Sequence, residues 1–124
     1  MLENTVLSRK NLPLVILELA NSHGGDLDIL RQTISKFSTL KYPNLGIKFQ
    51  PFSADTIAMP DYEWFGTYKK LEKTTAEWHD ILLKAGEKFS IWLDIFDSFG
   101  VQVLQQNQSL VRGIKLQSSI INNK

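Results

Sequence analysis

Short apolar segments alternate with helical patterns along the chain, and this order constrains the fold most strongly. Four segments predict β-strands: Leu14–Ala20, Leu45–Gln50, Ser90–Phe96 and Val111–Ser118. Three segments between them have helical spacing or helix-capping residues: about Leu27–Leu40, Thr74–Phe89 and Asp97–Leu104. Strands that alternate with helices favour a parallel sheet with right-handed crossovers, so we expect an α/β fold.

The segment Pro51–Lys73 is the longest one without a strand pattern. Pro51, Pro60 and Gly66 discourage regular structure there. Connections longer than roughly 12–15 residues are usually functional loops or disordered. We therefore expect a long loop, with a short extra helix around Tyr62–Lys70.

Composition and charge exclude several classes of function. The 124 residues include 14 Lys+Arg and 13 Asp+Glu, a formal net charge of +1, which gives no electrostatic basis for binding nucleic acid or a membrane. The chain has no cysteine, which excludes a disulfide scaffold and a thiolate site. The apolar run Leu12–Leu17 is too short to span a bilayer. We expect one cytoplasmic domain, residues 1–124, with its tryptophans (Trp64, Trp78 and Trp92) packed in the core.

Polar residues stand near the carboxyl end of each predicted strand, where a buried parallel strand should be apolar. They are Glu18, Lys48, Gln50, Asp94, Lys115 and Gln117. Ligands of α/β folds bind at these strand ends, and two lysines from the sheet suit a phosphate or carboxylate. In the alternative, Glu18 pairs with Lys48 and Asp94 with Lys115 as internal ion pairs. Four such strand ends favour a binding site.

The segment His23–Asp26 follows the first strand and allows two interpretations. Its two glycines could bring backbone N–H groups to a phosphate at a helix N-terminus, or they could form a tight turn, which is commoner. His23 could be a base or a ligand, but a lone loop histidine is usually structural. No two histidines have metal-ligand spacing, so we expect no complete metal site.

Four motifs follow one another in an order that matches a known family. They are Glu18–Asp26 (ELANSHGGD), Ile47–Phe52 (IKFQPF), Trp92–Asp97 (WLDIFD) and Ile114–Ser118 (IKLQS). Together they resemble the sialic acid synthase family of N-acetylneuraminate synthases and spore-coat polysaccharide relatives. Order and spacing agree from about Leu14 to Asn122.

This resemblance implies a partial TIM barrel of about four parallel strands, the N-terminal half of an enzyme that condenses phosphoenolpyruvate with an N-acetylmannosamine-type sugar. It implies that Lys48, Lys115 and Ser118 bind the phosphate and carboxylate of phosphoenolpyruvate. Glu18 would lie near the reacting centre as the catalytic residue. Gln50 and Asp94 complete the substrate-binding set by their positions, although Asp94 replaces a threonine of the family pattern.

The resemblance also implies what this chain would lack. The family's histidines for a divalent metal, Mn²⁺ or Mg²⁺, lie on later strands, and 124 residues is half of the ~250 of a common barrel. We therefore expect no cofactor bound by this chain alone, and no activity alone. The alternative is a non-catalytic module. It would be either a half-barrel that forms a homo-oligomer or joins a complementing half-barrel through its open edges, or a flavodoxin-like anion-binding sheet.

Overall fold

A computed structural model describes residues 12–121, so residues 1–11 and 122–124 of the predicted domain lie outside the described part. The elements, in chain order, are β1 Val15–Glu18, α1 Leu27–Phe37, β2 Leu45–Phe49, α2 Ala54–Ile57, α3 Phe65–Leu71, α4 Thr75–Gly86, β3 Ser90–Ile95, α5 Ser98–Gln106, β4 Val111–Leu116 and a 3₁₀ turn Ser118–Ile120. None of the helices within residues 12–121 is long and apolar enough to cross a membrane.

The four strands form one sheet in the order β1-β2-β3-β4, and every neighbouring pair is parallel. The predicted α/β fold with a parallel sheet is confirmed, and within residues 12–121 β1 and β4 are its open edges, as expected. Helices α1, α4 and α5 contribute to one core cluster and therefore lie on one face of the sheet. Right-handed crossovers between strands in consecutive order produce this arrangement, as in a barrel. A flavodoxin-like sheet has the order 2-1-3-4-5, so that alternative for the fold is wrong.

The hydrophobic core lies between this helical face and the strands. Its fully buried strand residues alternate along β2 and β3, as in Ile47 and Leu93, and they meet α4 at Leu82. Helices α1 and α5 contribute Leu30 and Val103 to the same core. Because side chains alternate along a strand, Lys48 and Asp94 point away from this core.

Short polar side chains determine where the helices begin. The Asp26 carboxylate accepts from the backbone N–H groups of Asp28 at 2.7 Å and Ile29 at 3.2 Å, which starts α1. Thr74 and Glu77 form the expected capping box at the start of α4. Because the caps are read directly from the sequence, the starts of these helices agree with the predictions.

Two sequence-based expectations differ from the structure. The short helix expected around Tyr62–Lys70 is present as α3, but the segment Pro51–Lys73 also contains α2 and is therefore less irregular than predicted. Phe52 and Tyr68 pack edge to face at 6.1 Å and give the segment an aromatic contact of its own. Trp78 is buried as predicted, but Trp64 is 54% exposed and Trp92 is only partly buried outside the core, so the placement of these two in the core was wrong. Trp64 directly precedes α3, in the long segment that connects β2 to α4.

Candidate functional site

Strand register brings the polar strand-end residues together. Glu18 is the register partner of Lys48 across β1 and β2, and Asp94 is the partner of Lys115 across β3 and β4. We call the six side chains that meet here the strand-end cluster: Glu18, Lys48, Gln50, Asp94, Lys115 and Gln117. Its members all belong to the face of the sheet opposite the helices.

A shift of register between β3 and β4 brings side chains of β4 into the strand-end cluster. Ile91 pairs with Val111, but the next residue, Trp92, pairs with Gly113, so Arg112 is an extra residue in β4. Without this shift, alternation would place Ile114 rather than Lys115 opposite Asp94. Because of this shift, the ammonium group of Lys115 contacts the carboxylate of Asp94, and the apolar side chain of Ile114 does not.

Asp94 lies at the centre of the cluster, and its side chain is completely buried. Its Oδ2 atom is 3.1 Å from Nζ of Lys115 and 3.5 Å from Nε2 of Gln50. Its Oδ1 atom accepts from Nε2 of Gln117 at 2.7 Å, and Nζ of Lys48 is 4.0 Å from Oδ2. The cost of burying this charge is therefore offset by two ammonium groups and two amides.

Glu18 occupies the outer side of the cluster. Its Oε1 atom is 3.2 Å from Nζ of Lys48 and 3.3 Å from Nε2 of Gln50, while half of its side chain remains exposed. Lys48 is only 12% exposed and stands between Glu18 and Asp94. Both ion pairs of the alternative interpretation therefore form, and the two lysines and two carboxylates sum to a formal charge of zero.

Two residues of β4 and its end differ from the expected site. Ser118 is exposed in the 3₁₀ turn, and the hydrogen bonds of residues 12–121 do not connect it to the cluster, so its role in binding stays a prediction. Gln117 was predicted as a polar strand-end residue but was left out of the substrate-binding set that the resemblance implies, yet its amide makes the shortest hydrogen bond to Asp94. Its spacing from Lys115, two positions along a strand, is the sequence signal that places both side chains on one face of the sheet.

The loop after β1 is a tight turn held against α3. His23 is buried, and its Nδ1 atom accepts from the backbone N–H of Gly25 at 3.0 Å. Burial, together with the nearby ammonium of Lys73, lowers the pKa of His23 below its ordinary value. Nζ of Lys73 donates to the Gly25 carbonyl at 2.8 Å and to that of Glu72 at 3.1 Å. His23 therefore has the structural role that a lone loop histidine usually has.

A divalent metal requires several ligands that converge on one point. Residues 12–121 contain no group of three histidine, aspartate or glutamate side chains placed to hold one. The carboxylates of Glu18 and Asp94 contact lysine ammonium groups instead. In the described part of the chain these two carboxylates therefore serve the two lysines.

No model of a known protein family matches this sequence, and no curated protein sequence does. Among solved structures, the chain is similar to the N-acetylneuraminic acid (sialic acid) synthetase of Leptospira borgpetersenii serovar Hardjo-bovis, solved in complex with citrate. The TM-score is 0.74 at 24% sequence identity, over 90% of this chain and 39% of that chain. The chain therefore has the fold of one part of a sialic acid synthetase. The partial barrel that the resemblance implied is confirmed as a fold.

Proposed function

We propose that this chain is the phosphoenolpyruvate-binding part of a sialic-acid-synthase-type barrel. The observation that supports this most is the placement of Lys48 and Lys115 on both sides of Asp94, at the carboxyl ends of parallel strands. Phosphoenolpyruvate carries a phosphate and a carboxylate, and ammonium groups with neighbouring amides are the donors that such anions need. The Leptospira synthetase was solved with citrate, another multiply charged anion, which is consistent with this class of ligand.

Exposure indicates the side from which a ligand would approach. About half of the side chains of Lys115 and Glu18 is exposed, whereas Lys48 is largely covered. The ligand's anionic groups would contact Lys115 first and Lys48 deeper in the cluster. Glu18 would then face the reacting centre and polarise the water or the amino sugar that joins phosphoenolpyruvate.

Titration of the 124-residue chain with phosphoenolpyruvate, followed by calorimetry or amide NMR shifts, tests this proposal. Lys48→Met and Lys115→Met should each abolish binding, because each removes one ammonium group of the cluster. Lys84→Met is the matched control, since Lys84 forms an exposed ion pair with Glu87 at 2.7 Å on α4. Unchanged affinity in both cluster variants would refute the assignment of the site.

We further propose that the chain alone does not turn over substrate, and that the divalent metal of the complete reaction is held by residues outside 12–121. Phosphate release from phosphoenolpyruvate should stay at the uncatalysed rate with Mn²⁺ or Mg²⁺ and an amino sugar present. Metal-dependent release above that rate would contradict this. Ser118 as a phosphate contact and a cytoplasmic location likewise stay predictions.

Assembly of two half-barrels is the second candidate, and the edges of the sheet support it. Val15 and Ile16 on β1 are 41% and 38% exposed, and Ile114 and Leu116 on β4 are 44% and 52% exposed. Open strand edges with apolar side chains favour pairing with another chain, and eight parallel strands close a TIM barrel. Two copies of this four-stranded sheet would supply that number.

Light scattering distinguishes this second candidate. We expect a dimer that Leu116→Lys converts to a monomer, because the substitution places a charge on the open edge of β4. Leu83→Lys is the control, since Leu83 is equally exposed, at 51%, but lies on α4. A monomeric native chain would exclude assembly with itself and leave only a complementing half-barrel.

A further inference from the structure

The donors of the strand-end cluster already have an anion between them. Lys115, Gln117 and Gln50 direct their polar hydrogens to the carboxylate of Asp94, at 3.1, 2.7 and 3.5 Å. That carboxylate has no exposed surface, so solvent does not screen it. It therefore occupies the position at which an anionic ligand would meet the same donors.

We propose that Asp94 is a resident anion that keeps the affinity of this site low for phosphate-bearing ligands. The inference rests on the proposed function, because it concerns the same lysines. A phosphate that reaches Lys115 meets an ammonium group already neutralised by Asp94, and it must also approach that buried negative charge. Asp94 is thus a specificity-determining residue, since it disfavours multiply charged anions.

The two lysines of the cluster differ in how far their ion pairs depend on Asp94. Lys48 and Gln50 also contact Glu18, at 3.2 and 3.3 Å, so they keep a partner when Asp94 loses its charge. Lys115 has no other ion pair among residues 12–121, and half of its side chain is exposed. Neutralising Asp94 therefore releases Lys115 for a ligand.

The test is Asp94→Asn, which removes the charge and keeps the shape of the side chain. Calorimetric titration with inorganic phosphate and with phosphoenolpyruvate should show binding tightened by roughly tenfold or more for both anions, since removal of one close like charge is worth at least about 1.4 kcal/mol. Asp80→Asn is the matched control, because Asp80 is exposed on α4 and its substitution changes the net charge equally. Adding Lys115→Met to Asp94→Asn should remove the gain.

The inference is overturned if Asp94→Asn is folded, as judged by circular dichroism, and binds phosphate no more tightly than the native chain. A gain equal to that of Asp80→Asn would also overturn it, because net charge would then explain the effect. Asp94→Ser, measured in parallel, supplies the same comparison if the asparagine variant does not fold. Two further outcomes separate the inference from the proposed function. If Asp94→Asn binds phosphate more tightly, and only when Lys115 is present, but binds phosphoenolpyruvate no better than phosphate, the inference is supported and the proposed function is not. If phosphoenolpyruvate binding depends on the lysines but is no tighter in Asp94→Asn, the proposed function is supported and the inference is overturned.

Discussion

The indole ring of Trp92 in β3 lies directly against Gly113 in β4. A Cβ atom on Gly113 would sit 2.7 Å from both Cε3 and Cη2 of that ring, and closer still to Cζ3. The two residues are register partners, and Nε1 of Trp92 donates to Oγ of Ser90 at 3.3 Å, which holds the ring in place. The ring thus covers the backbone of β4 beside the strand-end cluster, and only a glycine allows this approach.

Gly113→Ala should destabilise the protein by about 1–3 kcal/mol, because the new methyl group forces the ring or the strand to move. The free energy of unfolding in urea measures this. Gly66→Ala is the control, since a Cβ at Gly66 on α3 meets nothing within 4 Å. Equal stability of the two variants would show that Trp92 is free to turn away from β4.

The sequence could predict those parts of the fold and site that depend on local periodicity. Apolar runs and capping residues identified the four strands and the helices α1, α4 and α5. Alternation placed Lys48 and Gln50 on the face away from Ile47 and Phe49, and the core composition of β2 agrees. Such patterns are visible in one sequence because each repeats within a few residues.

Other features could not be predicted, because they depend on contacts between distant residues. The register shift beside Arg112 arises where β4 pairs with β3, and it decides that Lys115 meets Asp94. The exposure of Trp64 depends on where α3 lies relative to the core rather than on its apolar character. The ion pairs Glu18–Lys48 and Asp94–Lys115 likewise depend on distances between side chains of different strands, and a sequence does not give such distances.

Stability should depend on pH through His23. Its pKa in the fold is below 6.5, its ordinary value in an unfolded chain, because burial and Lys73 disfavour the imidazolium form. The unfolded chain therefore binds more protons than the fold just below pH 6.5, so the free energy of unfolding should fall as pH decreases through this window and stay level above it. Protonation also removes the acceptor for the Gly25 N–H.

Urea unfolding of His23→Asn at a series of pH values checks this origin. An asparagine oxygen can replace Nδ1 as the acceptor but does not titrate, so the slope below pH 6.5 should become shallower. His79→Gln is the control substitution of the other histidine, which is exposed on α4 and contacts Asn107. A slope that persists in His23→Asn would assign the effect to other groups.

Asp97 joins two loops at the carboxyl ends of β2 and β3. Its Oδ1 accepts from the Gly100 N–H at 2.8 Å as the cap of α5, and its Oδ2 accepts from the Ser53 N–H at 2.7 Å and from the Thr56 hydroxyl. Asp97→Ala should lower the free energy of unfolding by about 2 kcal/mol or more. The substitution removes the cap of α5 and leaves the partly buried N–H of Ser53 without its acceptor. Asp26→Ala, which removes only the exposed cap of α1, should cost about 1 kcal/mol. Thermal or urea unfolding of both variants measures the difference, and an equal loss would mean that the Ser53 contact adds nothing.

Lys48 should contribute more to stability than a surface lysine, because it lies between two carboxylates and is only 12% exposed. Lys48→Met should destabilise by about 1–3 kcal/mol, since Asp94 and Glu18 lose a shared cation. Lys84→Met, which breaks an exposed pair with Glu87, should cost less than about 1 kcal/mol. Glu18→Gln should lower the free energy of unfolding less in the Lys48→Met variant than in the native chain, because Glu18 has already lost its ion-pair partner there. Strictly additive losses would mean that the 3.2 Å contact between Glu18 and Lys48 carries no coupling energy, and that Asp94 alone determines the position of Lys48.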